Sequence, residues 1–144
     1  MKKSGILNGR LNGLLTDVRH GDGVVICDMG FPIPKGSTVV DLSLVQGIPT
    51  FAQVMKVLLD DMCFESIHCV EFLPEANPKY YEIMKKTFVK QDWTFLSMKD
   101  FVEKSKEAKV IIRTGEPLFA SNVYLTSCSG DPWSNNEYGT AWAE

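Results

Sequence analysis

The chain has 144 residues, of which 44% are hydrophobic and 23% are charged, and its formal net charge is −3 at pH 7. A chain of this length buries roughly two-thirds of its unfolded surface on folding, so a single domain with one core is sufficient. The small negative charge offers no basic surface for nucleic acid, and no apolar run approaches the roughly 20 residues of a membrane span. A helix-like pattern, not an apolar signal core, follows the first residues. We therefore expect a soluble, cytoplasmic protein that binds neither nucleic acid nor membrane.

The four cysteines predict structural thiols. No two of them have the C-x-x-C spacing of a zinc site, and no pair of histidines lies near them. Most lie within apolar runs, where a free cysteine behaves as a small hydrophobic residue. We expect reduced thiols and no metal at Cys27, Cys63, Cys69 and Cys128.

The first third of the chain predicts one helix and two strands. Apolar residues recur at helical spacing over residues 7–18, with Asn8 as the N-cap, and the pattern places the end of this helix at His20. A short apolar run at residues 24–27 is bounded by glycine- and proline-rich segments, which indicates a buried strand. A second strand is expected over residues 38–44.

The remaining chain alternates between the two kinds of element. Helices are expected from Pro49, from Asn77-Pro78 and over residues 99–109, and strands over residues 66–73, 93–96, 110–112 and 123–128. This alternation predicts an α/β fold: a single layered domain with a central mixed, largely parallel sheet of about six strands flanked by about four helices. Residues 1–128 form the domain, and residues 129–144 form a C-terminal extension.

Polar residues at element ends are the candidates for chemistry, because ligands of open α/β sheets bind outside the carboxyl ends of the strands. Asp28 directly follows the buried strand, where a carboxylate is costly to bury unless it is hydrogen-bonded. Its alternative role is an Asx turn into Met29-Gly30. His20 suits proton transfer, because imidazole titrates near neutral pH, and its alternative role is to cap the preceding helix. Residues 113–116, Arg-Thr-Gly-Glu, form a third polar cluster.

The same part of the chain bears on two classes of cofactor, a metal ion and a nucleotide. Imidazole and carboxylate suit several divalent ions, so a metal held by His20, Asp22 and Asp28 stays open as an alternative. The glycines at positions 21 and 23 match neither a dinucleotide-binding motif nor a P-loop, so no nucleotide is expected.

Several short motifs occur in a specific order along the chain. They are His20-Gly21-Asp22, VICDMGFPIPK at 25–35, DLSL at 41–44, GIPTF at 47–51, VIIRTGE at 110–116 and Asn122-Val123. Together they resemble the D-ribose pyranase / fucose mutarotase family, over about residues 1–128. The PIPK segment at 32–35 is more similar to the ribose pyranase branch.

The resemblance implies interconversion of sugar ring forms without cofactor, metal or nucleotide. It also implies a homo-oligomer, in the ribose branch pentameric rings stacked as a decamer, with sites near subunit boundaries. By position, His20 corresponds to the family's proton-donating histidine, Asp28 to its substrate-binding aspartate and Asn122 to a sugar-contacting asparagine. We take His20 and Asp28 as catalytic. The candidate substrate-binding positions are Asp28, Met98, Ala120, Ser121 and Asn122.

Two positions depart from the family pattern. Met98 stands where the family commonly has a second histidine, and Ala120 stands where it has a tyrosine. Phe119 is one residue away from the missing tyrosine, but a one-residue offset on a strand points to the opposite face, so we expect no substitution by its ring.

The residues and the resemblance together suggest a mechanism. Ring interconversion removes a proton from the anomeric hydroxyl and delivers one to the ring oxygen, and a histidine can perform both transfers with an acceleration of roughly 10²–10⁴-fold. His20 would perform this role while Asp28 accepts hydrogen bonds from the sugar. The expected function is a sugar isomerase acting on a reducing monosaccharide such as D-ribose; the alternative is a non-catalytic sugar-binding or regulatory protein on the same fold.

The C-terminal extension contains three large aromatic residues, Trp133, Tyr138 and Trp142. Disordered tails are normally poor in aromatic residues, although a polar tail remains the alternative. We expect the extension to fold over a pocket, its own or that of a neighbouring subunit.

Overall fold

A computed structural model describes residues 1–130 and 138–144 of the chain. Within these residues the chain forms six strands and five helices. The strands are β1 (Gly23–Cys27), β2 (Val39–Asp41), β3 (Phe64–Val70), β4 (Asp92–Leu96), β5 (Ala108–Arg113) and β6 (Val123–Ser127). The helices are α1 (Gly9–Thr16), α2 (Phe51–Asp61), α3 (Leu73–Ala76), α4 (Pro78–Thr87) and α5 (Met98–Ser105). None of these helices is long and apolar enough to cross a membrane.

The strands form one mixed sheet in the order β2-β5-β1-β6-β3-β4. The neighbours β1 and β5, β2 and β5, and β3 and β4 pair in parallel, whereas β6 is antiparallel to both β1 and β3. Five strands therefore share one direction, and β6 enters the sheet from the opposite end. This arrangement confirms the expected α/β domain with a mixed, largely parallel sheet.

Strand β1 lies at the centre of the core. Its four residues from Val24 to Cys27 are completely buried. A strand that is covered on both faces has a continuous apolar sequence, so this segment can be predicted from the sequence. The carboxyl end of β1 consequently delivers Asp28 from the middle of the molecule.

Helix α1 is shorter than the sequence pattern predicts. Asn8 is the N-cap, as expected, and its side chain accepts a hydrogen bond from the Leu11 amide at 2.9 Å. The helix ends at Thr16, however, and not at His20. The Asp22 carboxylate accepts a hydrogen bond from the backbone amide of Arg19 at 2.8 Å, which forms a local turn that competes with further helix. His20 therefore lies in a loop and is not a helix cap.

Helix α2 begins at Phe51 and not at the expected Pro49, whereas α4 begins at Pro78, as expected. Thr50 and Gln53 form a capping box at the start of α2, and the Asn77 side chain caps α4, with Pro78 in the first turn. Helix α5 stops at Ser105 because the chain enters β5 at Ala108, so the expected helix over residues 99–109 is too long at its end. The short helix α3 was not predicted.

The expectation of four reduced cysteines is wrong for two of them. Cys63, between α2 and β3, and Cys128, directly after β6, are paired as a disulfide with Cα atoms 5.8 Å apart. The other two, Cys27 and Cys69, are free and buried, as expected for structural thiols. Burial raises the pKa of both free thiols, which keeps them protonated and unreactive.

We predict that the disulfide stabilises the fold measurably. The bond closes a segment of 65 residues, so reducing it should lower the free energy of unfolding by about 2–4 kcal/mol. Urea unfolding with and without dithiothreitol measures this difference. A variant carrying both Cys63→Ser and Cys128→Ser should already have the lower stability and should not respond to the reductant; if the oxidised and reduced wild-type proteins unfold alike, the bond does not form in solution.

Candidate functional site

The site begins with a buried pair of side chains, Asp28 and Asn122. Asp28 follows β1 and Asn122 immediately precedes β6, and because these two strands are antiparallel neighbours, both residues lie at the same edge of the sheet. The Asn122 side chain accepts a hydrogen bond from the Asp28 backbone amide at 3.0 Å and donates one to the Asp28 carboxylate at 2.9 Å. One asparagine thus fixes both the backbone and the side chain of the aspartate.

The second carboxylate oxygen of Asp28 accepts a hydrogen bond from the Gly30 amide at 3.0 Å. This contact is the Asx turn proposed as an alternative role, so Asp28 both shapes the loop and faces the pocket. Burial raises the pKa of Asp28 from its ordinary value, while the hydrogen bonds from Asn122 and Gly30 act in the opposite direction. The carboxyl group is therefore easier to protonate than an exposed aspartate.

A second buried carboxylate, Glu116, lies beside this pair. Its side chain accepts three hydrogen bonds: from the Phe51 amide at 3.1 Å, the Tyr80 hydroxyl at 2.7 Å and the Leu118 amide at 3.0 Å. Only 2% of Glu116 is exposed, so these three donors replace the water that the charge has lost. Glu116 belongs to the polar cluster over residues 113–116 but was not among the site residues expected from the sequence.

Gly115 allows Glu116 to reach this position. A Cβ atom on Gly115 would lie 2.6 Å from the backbone oxygens of both Val45 and Ile48. The backbone of Gly115 instead bonds this turn directly, donating to the Pro49 carbonyl at 2.8 Å and accepting from the Gly47 amide at 2.6 Å. Only glycine fits so close an approach of two backbone segments.

Arg113 holds the loop after β1, which contributes Met29 to the site. Its guanidinium donates two hydrogen bonds to the Met29 carbonyl, at 3.1 and 2.8 Å, and one to the Asp41 carboxylate at 2.8 Å. Partial burial alone would raise the pKa of Asp41, but hydrogen bonds from Ser43 and Arg113 lower it overall. Arg113 thereby ties the loop after β1 to the end of β2.

Asp28, Glu116 and Asn122 line an open cavity of about 170 Å³. Drug-sized ligands occupy clefts of roughly 300–1,000 Å³, so this volume suits a smaller molecule. Larger cavities lie elsewhere among the described residues: an apolar groove between α1 and α2, a cleft beside the disulfide, and a pocket between the end of α2 and residues 139–140. None of these three is lined by a buried carboxylate. The residues that line the site are Asp28, Met29, Gly30, Phe31, Pro32, Met98, Glu116, Pro117, Phe119 and Asn122.

His20 lies far from this cavity within the same chain. It precedes β1, whereas Asp28 follows it, and four rises of about 3.3 Å along the strand place the two residues at least about 13 Å apart. The imidazole is largely exposed, and its Nε2 atom lies 3.4 Å from the Glu65 carboxylate. The two residues expected to act together are thus at opposite ends of one strand.

The other three expected positions differ in their surroundings. Met98, the first residue of α5, lines the cavity. Ser121 is buried, and its hydroxyl donates to the Leu118 carbonyl at 2.8 Å and accepts from the Asn77 side chain at 2.9 Å, so it fixes the segment that leads to Asn122. Ala120 is also buried, with a φ of 66°, and does not line the cavity.

Phe119 is a pocket residue that the sequence analysis excluded. The expectation that the Phe119 ring points away from the site assumed a strand at this position. Strand β6 begins only at Val123, however, and Phe119 lies in the preceding loop. Its ring lines the cavity and stacks on Phe72 with centroids 5.2 Å apart. The alternation of strand faces therefore does not apply, and an aromatic ring occupies one wall of the pocket.

A small cavity with buried carboxyl groups at the carboxyl ends of parallel strands is typical of the ligand sites of α/β proteins. A family model described as the RbsD / FucU transport protein family matches residues 1–129. The chain therefore belongs to this family.

Individual relatives agree with this assignment. The D-ribose pyranase of Exiguobacterium sibiricum is 42% identical over 125 residues, which cover 87% of this chain and 95% of that protein. The D-ribose pyranase of Geobacillus thermodenitrificans is 39% identical over 127 residues, covering 88% of this chain and 96% of that protein.

Solved structures show the same fold. Bacillus subtilis RbsD complexed with D-ribose superposes with a TM-score of 0.84 at 36% identity, over 89% of this chain and 98% of that one. The fucose mutarotase of Streptococcus pneumoniae in complex with L-fucose has a TM-score of 0.69 at 23% identity, over 85% of this chain and 93% of that one, which supports the fold alone.

We predict that Asn122→Asp destabilises the protein in a pH-dependent manner. The substitution replaces the amide that donates to Asp28 with a second buried carboxylate, at a cost of about 1–3 kcal/mol at pH 7. Two adjacent carboxyls share a proton, which raises the pKa of the pair, so the deficit should shrink as the pH is lowered toward about 5. Melting temperatures at both pH values measure the effect.

Asn12→Asp is the control, because Asn12 lies on α1 away from Asp28 and should show no such pH dependence. An equal loss of stability for Asn122→Asp at pH 7 and pH 5 would contradict the buried pairing of residues 28 and 122.

Proposed function

We propose that the protein is a cofactor-free sugar isomerase that interconverts the ring forms of a reducing monosaccharide such as D-ribose. The observation that carries the proposal is the buried Asp28–Asn122 pair, which opens into a cavity of small-molecule size at the carboxyl end of β1. The similarity to D-ribose pyranases over most of the chain supports it.

The chemistry requires a proton acceptor at the anomeric hydroxyl and a proton donor at the ring oxygen. Removal of the first proton and delivery of the second opens the ring to the aldehyde, which then closes to another ring form. The Asp28 carboxylate faces the cavity with hydrogen-bond capacity left over after its contacts to Asn122 and Gly30, so it can accept a bond from a sugar hydroxyl. The Asn122 amide holds this carboxylate in a fixed direction.

His20 supplies the proton transfer in this proposal. An imidazole exchanges protons efficiently near neutral pH, and the His20 ring is accessible. Because His20 and Asp28 of one chain lie at opposite ends of β1, the complete site needs His20 from a second copy of the chain. This requirement supports a homo-oligomer with sites at its subunit boundaries, for which pentameric rings stacked as a decamer are the expected form.

The surface is compatible with such an assembly. Large apolar side chains are exposed next to the site and on the turn behind it, where burial against another copy would remove them from water. They include Leu44, Val45, Ile48, Leu118 and Phe119. A cytoplasmic location belongs to the same proposal and rests on the likeness to enzymes of sugar metabolism.

A non-catalytic sugar-binding protein is the second candidate. One observation favours it: the Met98 side chain lines the cavity where the family commonly has a histidine, so one polar contact to sugar hydroxyls is missing. Such a contact is worth about 0.5–1.5 kcal/mol. A binder would retain affinity for sugars without accelerating their interconversion.

We predict that the wild-type protein accelerates exchange between the ring forms of D-ribose or another reducing monosaccharide and that His20→Ala does not. Loss of the proton-transferring group should lower the rate by about 100-fold or more, since general acid–base catalysis contributes roughly 10²–10⁴-fold. Magnetisation-exchange NMR measures this on a panel of sugars without requiring the physiological substrate to be known.

Arg19→Ala is the matched control, because Arg19 is an exposed neighbour in the same loop. Sugar binding without accelerated exchange by the wild-type protein would establish the second candidate, and full exchange by His20→Ala would exclude the proposed role of His20.

A further inference from the structure

The C-terminal extension lies outside the part of the chain shared with the family. The family model ends at residue 129, and the D-ribose pyranases align over 125 to 127 residues. Residues 138–144 of the extension are described by the structure, whereas Trp133 falls outside the described residues. None of residues 138–144 lines the Asp28 cavity, so they do not replace the missing pocket side chains within their own chain.

Residues 138–144 of the extension are hydrogen-bonded to the end of α4 and to the loop that follows it. The Gln91 side chain donates a hydrogen bond to the Tyr138 carbonyl at 3.2 Å. Thr87 is bonded twice, because its carbonyl accepts from the Thr140 hydroxyl and its hydroxyl accepts from the Ala143 amide at 3.1 Å. These contacts fix the backbone on both sides of Trp142.

Trp142 packs on two buried aromatic residues. Its ring meets Phe51 edge-on at 6.1 Å and Tyr80 at 6.2 Å, measured between centroids, and the rings of Phe51 and Tyr80 are themselves 5.3 Å apart. Phe51 is fully buried, and only 4% of Tyr80 is exposed. The tryptophan therefore covers a compact aromatic cluster from outside.

The two residues beneath Trp142 are also the ones that hold one oxygen of Glu116. The Phe51 amide and the Tyr80 hydroxyl both donate to Oε2 of Glu116, while the Leu118 amide donates to Oε1. Glu116 lines the cavity together with Asp28. A continuous set of contacts thus connects the extension to the pocket through a buried carboxylate.

We propose that residues 138–144 of the C-terminal extension form a positioning element of the sugar site, in which Trp142 holds Phe51 and Tyr80 so that they fix Glu116 at the pocket wall. The inference rests on the proposed sugar-binding function and adds Trp142, Tyr80 and Glu116 to it as positioning residues. Without Trp142, the aromatic cluster is open to water on one side, and the donors of Glu116 are free to shift.

Sugar affinity and a sugar-independent signal test the inference together. Trp142→Ala should weaken D-ribose binding by about three- to tenfold, the range that loss of aromatic packing produces, and Trp142→Phe should restore most of it because a ring remains. The ¹⁵N–¹H signal of the Leu118 amide reports the position of Glu116 directly, so it should shift in Trp142→Ala and stay in place in Trp142→Phe. Titration calorimetry and NMR of the full chain measure the two effects.

A double-mutant cycle distinguishes coupling of Trp142 to Glu116 through Tyr80 from a general loss of stability. Tyr80→Phe removes the hydroxyl donor to Glu116, so the combined effect of Tyr80→Phe and Trp142→Ala should be smaller than the sum of the single effects. Ala141→Ser is the control, because Ala141 is exposed in the same segment and should change neither signal.

Additive effects, or an unchanged Leu118 signal and unchanged affinity in Trp142→Ala, would overturn the inference even if the melting temperature falls. If the wild-type protein binds no reducing sugar, the proposed function fails, and the Leu118 signal still decides whether Trp142 holds Glu116.

Discussion

The site depends on one interaction, the pairing of the buried Asp28 carboxylate with the Asn122 side chain. Strand β1 is fully buried, so the residue at its carboxyl end emerges inside the protein, where an unpaired carboxylate would cost several kcal/mol. Because β6 is inserted antiparallel between β1 and β3, it begins where β1 ends and supplies Asn122 at that point. The antiparallel strand β6 therefore supplies the hydrogen bond that offsets the cost of burying Asp28, and it leaves the Asp28 carboxylate facing the cavity.

Asp28 and Glu116 line the same cavity, but their hydrogen-bond partners give them different roles. Glu116 accepts hydrogen bonds from three protein donors, which hold its carboxyl group in one position. The negative charge of Glu116 adds to burial, the larger cause, in raising the pKa of Asp28. In the proposed site, Asp28 is consequently the carboxyl that accepts a hydrogen bond from a sugar hydroxyl. Glu116 is part of the cavity wall and is hydrogen-bonded to Phe51 and Tyr80.

The sequence predicts those features that depend on local chemistry and fails where distant segments meet. The apolar run of β1 and the cap at Asn77 follow from burial and hydrogen bonding of neighbouring residues, and the family motifs identify Asp28 as a site residue. Cys63 and Cys128 lie 65 residues apart, so nothing local indicates their bond. The separation of His20 from Asp28 could have been predicted from the sequence. The two residues lie at opposite ends of β1, so their side chains cannot contact each other within the same chain.

In the proposed enzyme, the working site combines Asp28 of one chain with His20 of another. The most direct test co-expresses His20→Ala and Asp28→Ala chains with different affinity tags and purifies the mixed oligomers. Each variant alone should be inactive in ring-form exchange, but in an equal mixture about a quarter of the sites receive both intact residues, so exchange should return to about a quarter of the wild-type rate. Mixed oligomers that remain as inactive as their parents would contradict a site shared between two chains.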